Sequence, residues 1–168
     1  SGPDQFVGKL GLLLLYLAAA SGIIAAVVSA IRSRFRSSMF DSRKDLESIR
    51  QLDWADFEIL VGEAYRRQGY TVEETGGGGA DGGYDLILRR PGQFLLVQCK
   101  HWRDSQVGVK IVRELFGVVA AEKAIGGIVV CSGTFSSDAW AFAEGKELAL
   151  VDGKALWELV KDIRKDYK

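Results

Sequence analysis

The apolar positions change their spacing along the chain, and each change predicts a different kind of element. From Leu10 to Ile31 they are unbroken: LGLLLLYLAAASGIIAAVVSAI, 22 residues without a charge. As a helix this stretch is about 33 Å long, enough to cross a hydrocarbon core of roughly 30 Å. Residues 32–52 are polar, mixed in charge, and read as a partly helical connector. From Asp53 the pattern becomes globular. Asp53 is placed to cap a helix over WADFEILVGEAYRRQG, with Gly69 as its stop signal. Trp54, Phe57, Val61, Ala64 and Tyr65 fall on one stripe at helical spacing, Glu58 lies at its edge, and Asp56, Glu63 and Arg67 lie opposite.

Shorter segments follow. Tyr70–Thr75 reads as a strand that runs into the glycine-rich segment 76–83, then a second strand, Tyr84–Arg89. Pro91-Gly92 marks a hairpin turn before a third strand, Gln93–Trp102. A long amphipathic helix is predicted at about 106–124, a buried strand over Gly126–Cys131, and a helix over Thr134–Glu144. Leu148–Val151 reads as the last strand and Lys154–Lys165 as the last helix. This order predicts an α/β fold: a mixed sheet flanked by helices on both faces, plus one N-terminal transmembrane helix.

Composition sharpens this picture at two points. The chain has 22 basic and 22 acidic residues, but residues 1–52 hold 7 of the former and 4 of the latter. The remainder is therefore slightly acidic, so a polyanion must be bound at a local site rather than steered by overall charge. Cys99 and Cys131 both lie in apolar strand-like runs, which suits small core residues in a reducing compartment and excludes a cysteine metal cluster. For the apolar stretch, Val28-Ser29-Ala30 offers a signal-peptide reading. Arg32, Arg34 and Arg36 follow at once, and Lys9 alone flanks the other end; this favours a retained anchor whose C-terminal side is cytoplasmic. Ala18, Gly22, Ala26 and Ala30 share one helix face and would let two such helices approach as a homodimer. Ser1-Gly2-Pro3 reads as the remnant of a tag.

Candidate chemistry sits where the apolar run Phe94–Val97 ends in Gln98-Cys99-Lys100. Residues two apart on a strand face the same way, so Gln98 and Lys100 share a face and a half-buried lysine needs a negative partner. The hairpin brings Asp85 alongside, and Glu58 approaches from the helix. Two carboxylates, an amide and a lysine around one point suit a hard cation such as Mg²⁺ or Mn²⁺, with the Cys99 backbone carbonyl as a further oxygen. Lys100 would then act on water and on transition-state charge.

Phe57-Glu58, Gly69-Tyr70-x-Val72, GADGGYDL, Gln98-Cys99-Lys100, GGIVVCSGTFSSDAWAFA and LVDGKALWELV together resemble the Mrr-type restriction-endonuclease branch of the PD-(D/E)xK nuclease superfamily. The resemblance spans about Trp54 to Val160. It implies a restriction-endonuclease-like sheet, Asp85 and Glu58 as metal ligands, and Gln98-x-Lys100 in place of the commoner Glu-x-Lys. It implies DNA as substrate, Mg²⁺ or Mn²⁺ as cofactor and no small-molecule cofactor. The expected role is hydrolysis of phosphodiester bonds in defence against foreign or modified DNA, or in DNA processing. The domain expectation is a tail at 1–9, a transmembrane helix at 10–31, a basic juxtamembrane linker at 32–52 and an Mrr-like nuclease domain at 53–168, facing the cytoplasm from the inner membrane.

Blander readings stand beside these. Asp85 and Lys100 alone would make an ordinary cross-strand ion pair. Gly77, Gly78, Gly79 and Gly82 either form a plain loop or let backbone amides approach a DNA phosphate. Asp81 reads as a turn residue, and His101 points away from Lys100. Trp102 and Arg103 reach a nucleic-acid backbone or simply pack at the strand end. Lys110 and Arg113 are either phosphate contacts or the solvated face of their helix. Because Gln98 is neutral, the site carries one negative charge fewer than Glu-x-Lys. A catalytically silent nuclease-fold module that binds nucleic acid or protein at the membrane is therefore the alternative, and a junction-resolving nuclease a third.

Overall fold

The strands predicted between Tyr70 and Trp102 pair as a meander, closed at one turn by Gly92, whose φ of +76° only glycine adopts freely. The computed structural model describes residues 3–75, 83–101 and 106–166. Gly77, Gly78, Gly79, Asp81, Gly82, Trp102 and Arg103 lie outside the described residues.

Strands β1 (Thr71–Glu74), β2 (Leu86–Arg90) and β3 (Gln93–Lys100) are antiparallel, in a register that sets Leu86 opposite Val97. β5 (Gly126–Cys131) and β7 (Leu148–Val151) continue the sheet in parallel, giving the order β1-β2-β3-β5-β7. β5 is buried along its whole length, as its apolar run predicts for a central parallel strand.

Helices cover both faces. One layer consists of α3 (Trp54–Arg67) and α6 (Gly153–Asp166), whose Phe57, Leu60, Leu156 and Val160 pack with Leu86, Leu88, Val97 and Val130. On the other, α4 (Val109–Glu122) and α5 (Ser137–Ala143) supply Val112, Leu115 and Ala139 against Leu96 and Val129. Asp53 caps α3 by accepting the Asp56 amide at 2.8 Å, and Gly69 ends that helix with φ +87°. Both cysteines are free and buried, as expected of core residues.

Two predicted helices start later than expected. Gln106–Val107 (β4) and Thr134–Phe135 (β6) leave the helical pattern to pair in parallel as a separate two-stranded sheet. α4 therefore begins at Val109, and α5 follows its N-cap Ser136, whose side chain accepts the Ala139 amide. A pairing two residues long between distant segments leaves no periodic trace in either.

The apolar stretch lies in α1 (Pro3–Asp41), one continuous helix that also takes in the first part of the expected linker. Its most apolar 18-residue window has a mean hydropathy of 2.4 and is wholly exposed, so by length and composition the helix can cross a membrane. The chain divides into two compact units, Ser1–Ser38 and Met39–Lys168. The second begins well before Asp53. Met39, Phe40, Ile49 and Leu52 are core residues, Ile49 within the short helix α2 (Leu46–Arg50) and Leu52 just after it. Polar neighbours in the sequence hide these four apolar anchors.

The same packing corrects the expectation for Glu63 and Arg67. They are buried rather than solvent-facing, with side chains 10% and 9% exposed. Arg67 lies over the Phe40 ring at 4.4 Å, binds Asp41 at 2.7 and 3.2 Å, and binds Glu63 at 3.0 Å. Residues 39–41 thus cover the face of α3 that the helical stripe alone assigns to solvent.

Replacing Phe40 with Ala is expected to destabilise the Met39–Lys168 unit by about 3–5 kcal/mol in urea unfolding, the cost of emptying a core aromatic site. A change below about 0.5 kcal/mol, the size expected at a linker position, would remove residues 39–52 from the core.

Candidate active site

At the end of the β2–β3 ladder a side chain takes over from backbone. Asp85 donates its amide to Val97 O at 2.7 Å, the last backbone bond of the pair. The next amide on that edge, Cys99 N–H, is bound instead by Asp85 Oδ2 at 2.7 Å. N–H and C=O of one strand residue point to the same edge, so the Cys99 carbonyl is directed to the side where Asp85 lies. Thr75 fixes the Asp85 backbone from β1: its amide and its hydroxyl both donate to Asp85 O, at 3.1 and 3.0 Å. The second carboxylate oxygen, Oδ1, has no hydrogen-bond partner among the described residues.

Gln98 and Lys100 follow on β3, paired with Val129 and Cys131 of β5. Gln98 is 7% exposed, and its Oε1 is buried without a hydrogen-bond partner. A buried amide oxygen left so loses on the order of 1–3 kcal/mol. Lys100 is half-buried and closes no ion pair among the described residues. Its Nζ lies 5.6 Å from the Trp54 ring centroid. From α3, Glu58 accepts a hydrogen bond from Trp54 Nε1.

These groups lie within electrostatic reach of one another. Burial raises the Glu58 pKa, Asp85 and, less, Glu74 raise it further by repulsion, and the Trp54 hydrogen bond and the Lys100 charge lower it. Burial also raises the Asp85 pKa, against the Cys99 amide and Lys100. Lys100 thus acts on both carboxylates, the convergence that the sequence predicts. Two like charges and an orphaned amide oxygen suit a divalent cation. Among the described residues no group of three His, Cys, Asp or Glu side chains gathers for a metal. Two carboxylates with amide and carbonyl oxygens are the donor set Mg²⁺ accepts when substrate phosphate and water complete its shell.

His101 has a structural place. Its Nε2 donates to Leu52 O at 2.7 Å, Nδ1 meets Ser132 Oγ at 3.0 Å, and its ring stacks on Phe57 at 4.8 Å. It joins the end of β3 to the start of α3. Lys110 and Arg113 are exposed on α4, Lys110 3.8 Å from Glu114 and Arg113 5.3 Å from the Phe142 ring centroid. Neither couples to Asp85 or Glu58.

Trp54 is the residue that sequence reasoning missed. Taken as core, it is half-buried and touches both Glu58 and Lys100. Its spacing of four from Glu58 on one helix is the signal that could have found it.

Because both carboxyls titrate above their ordinary range, the metal-free fold loses stability as pH rises through those values. Asp85→Asn, which keeps an acceptor for the Cys99 amide, is expected to raise the Tm at pH 7.5 in chelator by roughly 2–4 °C. The gain should shrink as pH falls and disappear below about pH 4, where the unfolded carboxyl is protonated too. A lower Tm for the Asn variant would contradict this electrostatic picture.

Comparison with known proteins places the chain in a family. A restriction endonuclease family model, that of the Mrr catalytic domain, matches residues 49–160. The type IV methyl-directed restriction enzyme EcoKMrr of Escherichia coli (strain K12) is 33% identical over 124 residues, covering 68% of this chain and 40% of that protein. An uncharacterized protein, y4cE, of Sinorhizobium fredii (strain NBRC 101917 / NGR234) is 33% identical over 102 residues, 58% of this chain and 26% of that one. The chain therefore spans less than half the length of these relatives. Among solved structures, the DNA modification-dependent restriction endonuclease AspBHI superposes with a TM-score of 0.56 at 21% identity, over 70% of this chain and 34% of that chain. That likeness is one of fold. With the family model covering most of the globular unit, the chain belongs to the Mrr-type restriction endonuclease family.

Proposed function

We propose that the protein is a membrane-anchored, divalent-cation-dependent DNA endonuclease that hydrolyses phosphodiester bonds on the cytoplasmic side of the inner membrane. The observation that carries this reading is the electrostatic coupling of Glu58 to both Asp85 and Lys100, in a chain of this family whose Gln98, two residues before Lys100, keeps a buried Oε1 without a partner.

Asp85 and Glu58 would hold Mg²⁺ or Mn²⁺, with Gln98 Oε1 and the Cys99 carbonyl as neutral donors. When bound, the ion neutralises phosphate charge and makes water a stronger acid. Asp85 is held for this by the Cys99 amide, so no side-chain freedom is lost on binding. Lys100 has three N–H donors for the attacking water and the phosphate oxygens, where negative charge grows in the transition state. The glycine loop and Lys110 or Arg113 are proposed contacts to the DNA backbone. Defence against foreign or modified DNA fits the family. The anchor is proposed from residues 10–31 and the arginines that follow them.

A second reading has an observation of its own. The donor set contains two carboxylates and a neutral glutamine, which suits a module that binds nucleic acid without cutting it.

The full chain in detergent should nick plasmid DNA with Mg²⁺ or Mn²⁺, and Asp85→Ala or Lys100→Ala should slow it by about 10²–10³-fold. Equal rates in all three proteins would discard the mechanism, and metal-dependent DNA binding without any nicking would favour the silent module. Removing residues 10–31 should move the protein from the membrane fraction to the supernatant on ultracentrifugation; no change in partition would refute the anchor.

A further inference from the structure

The cleavage centre proposed above has a tryptophan whose two faces of chemistry are both engaged. Trp54 opens α3 directly after the N-cap Asp53, and Glu58 stands one turn on, on the same side of the helix. The indole N–H is a donor without acceptor capacity, and it is bound to Glu58 Oε1. The ring is the complementary pole: its electron-rich face attracts cations within about 6 Å, and Lys100 Nζ lies 5.6 Å from its centroid.

The helix end that carries the indole is itself held in place. Leu52, two residues before it, gives its carbonyl to His101 Nε2 at 2.7 Å, and His101 directly follows Lys100. Phe57, in the first turn of α3, stacks on the same imidazole at 4.8 Å. The start of the helix and the end of the strand are thereby one unit, and Trp54 stands between the two charged groups they carry.

Those charged groups do not pair. Lys100 forms no ion pair among the described residues, although both Glu58 and Asp85 sense its charge. Direct contact between Lys100 and Glu58 would occupy the carboxylate that a cation needs and the ammonium that a phosphate needs. We propose that Trp54 is the positioning residue of this centre, its N–H orienting Glu58 and its ring seating Lys100, so that acid and ammonium stand side by side without closing on each other. Glu58 Oε2 then remains open to a cation, since Trp54 engages the other oxygen.

The proposal rests on the metal-dependent reading of the site, and the test separates the two. Trp54→Phe keeps a ring face for Lys100 and deletes the N–H; Trp54→Leu deletes both. Mn²⁺ binding to the full chain in detergent, followed by calorimetry, and plasmid nicking at saturating Mn²⁺ are the readouts. Both variants should bind Mn²⁺ about 10-fold more weakly, the usual cost of losing a partner that orients a ligand. At saturating Mn²⁺, Trp54→Leu should turn over about 10-fold more slowly than Trp54→Phe, because the ring alone rescues Lys100. Mn²⁺ affinity unchanged in Trp54→Phe would overturn the orienting role, and equal kcat in the two variants would overturn the seating role. If Trp54→Leu fails to fold, the affinity of Trp54→Phe alone decides. A parent chain that binds no Mn²⁺ would instead remove the metal site itself, and this inference with it.

Discussion

The hydrogen bond from the Cys99 amide to Asp85 Oδ2 is the contact on which the candidate site depends. It stands where a backbone bond between β2 and β3 would otherwise continue the ladder, so β2 can turn away and β3 can run on to Lys100. A sheet that kept pairing would bury this edge completely. By ending the pairing with a carboxylate, the fold satisfies the last inner amide and exposes one acidic oxygen beside the strand that bears Gln98 and Lys100.

The arrangement is an electrostatic compromise. Burial makes Asp85 and Glu58 reluctant acids, Asp85 adds repulsion at Glu58, and Lys100 relieves each in part. A glutamate at position 98 would add a third negative charge at a position only 7% exposed to solvent. Glutamine keeps an oxygen there at a lower electrostatic cost, though with weaker attraction for a cation. The site therefore relies on geometry more than on charge, which makes the residues that orient Glu58 and Lys100 matter more than they would in a richer acidic cluster.

Packing away from the site follows from residues 39–52. Phe40 lies beneath the Arg67 guanidinium, which also joins Asp41 to Glu63. Leu52 contributes its side chain to the core and its carbonyl to His101. Through these contacts the segment before α3 ties that helix, which carries Glu58, to the end of β3. What reads as a connector is part of the scaffold that aims the carboxylate.

Local order was legible in the residues themselves. An uncharged run of 22 residues is long enough for one membrane-spanning helix, and α1 includes it entirely. The strand alternation put Gln98 and Lys100 on one face, and the hairpin turn at Gly92 aligned Asp85 with them, because side-chain direction and turn geometry are properties of neighbouring residues. Tertiary structure alone decided the rest. The β4–β6 pairing, the burial of Glu63 and Arg67, the entry of Phe40 and Ile49 into the core, and the approach of Lys100 to the Trp54 ring each join segments far apart in the chain. Periodicity records which side of an element is apolar, but not what comes to lie against its other side; that depends on which distant surface excludes water there.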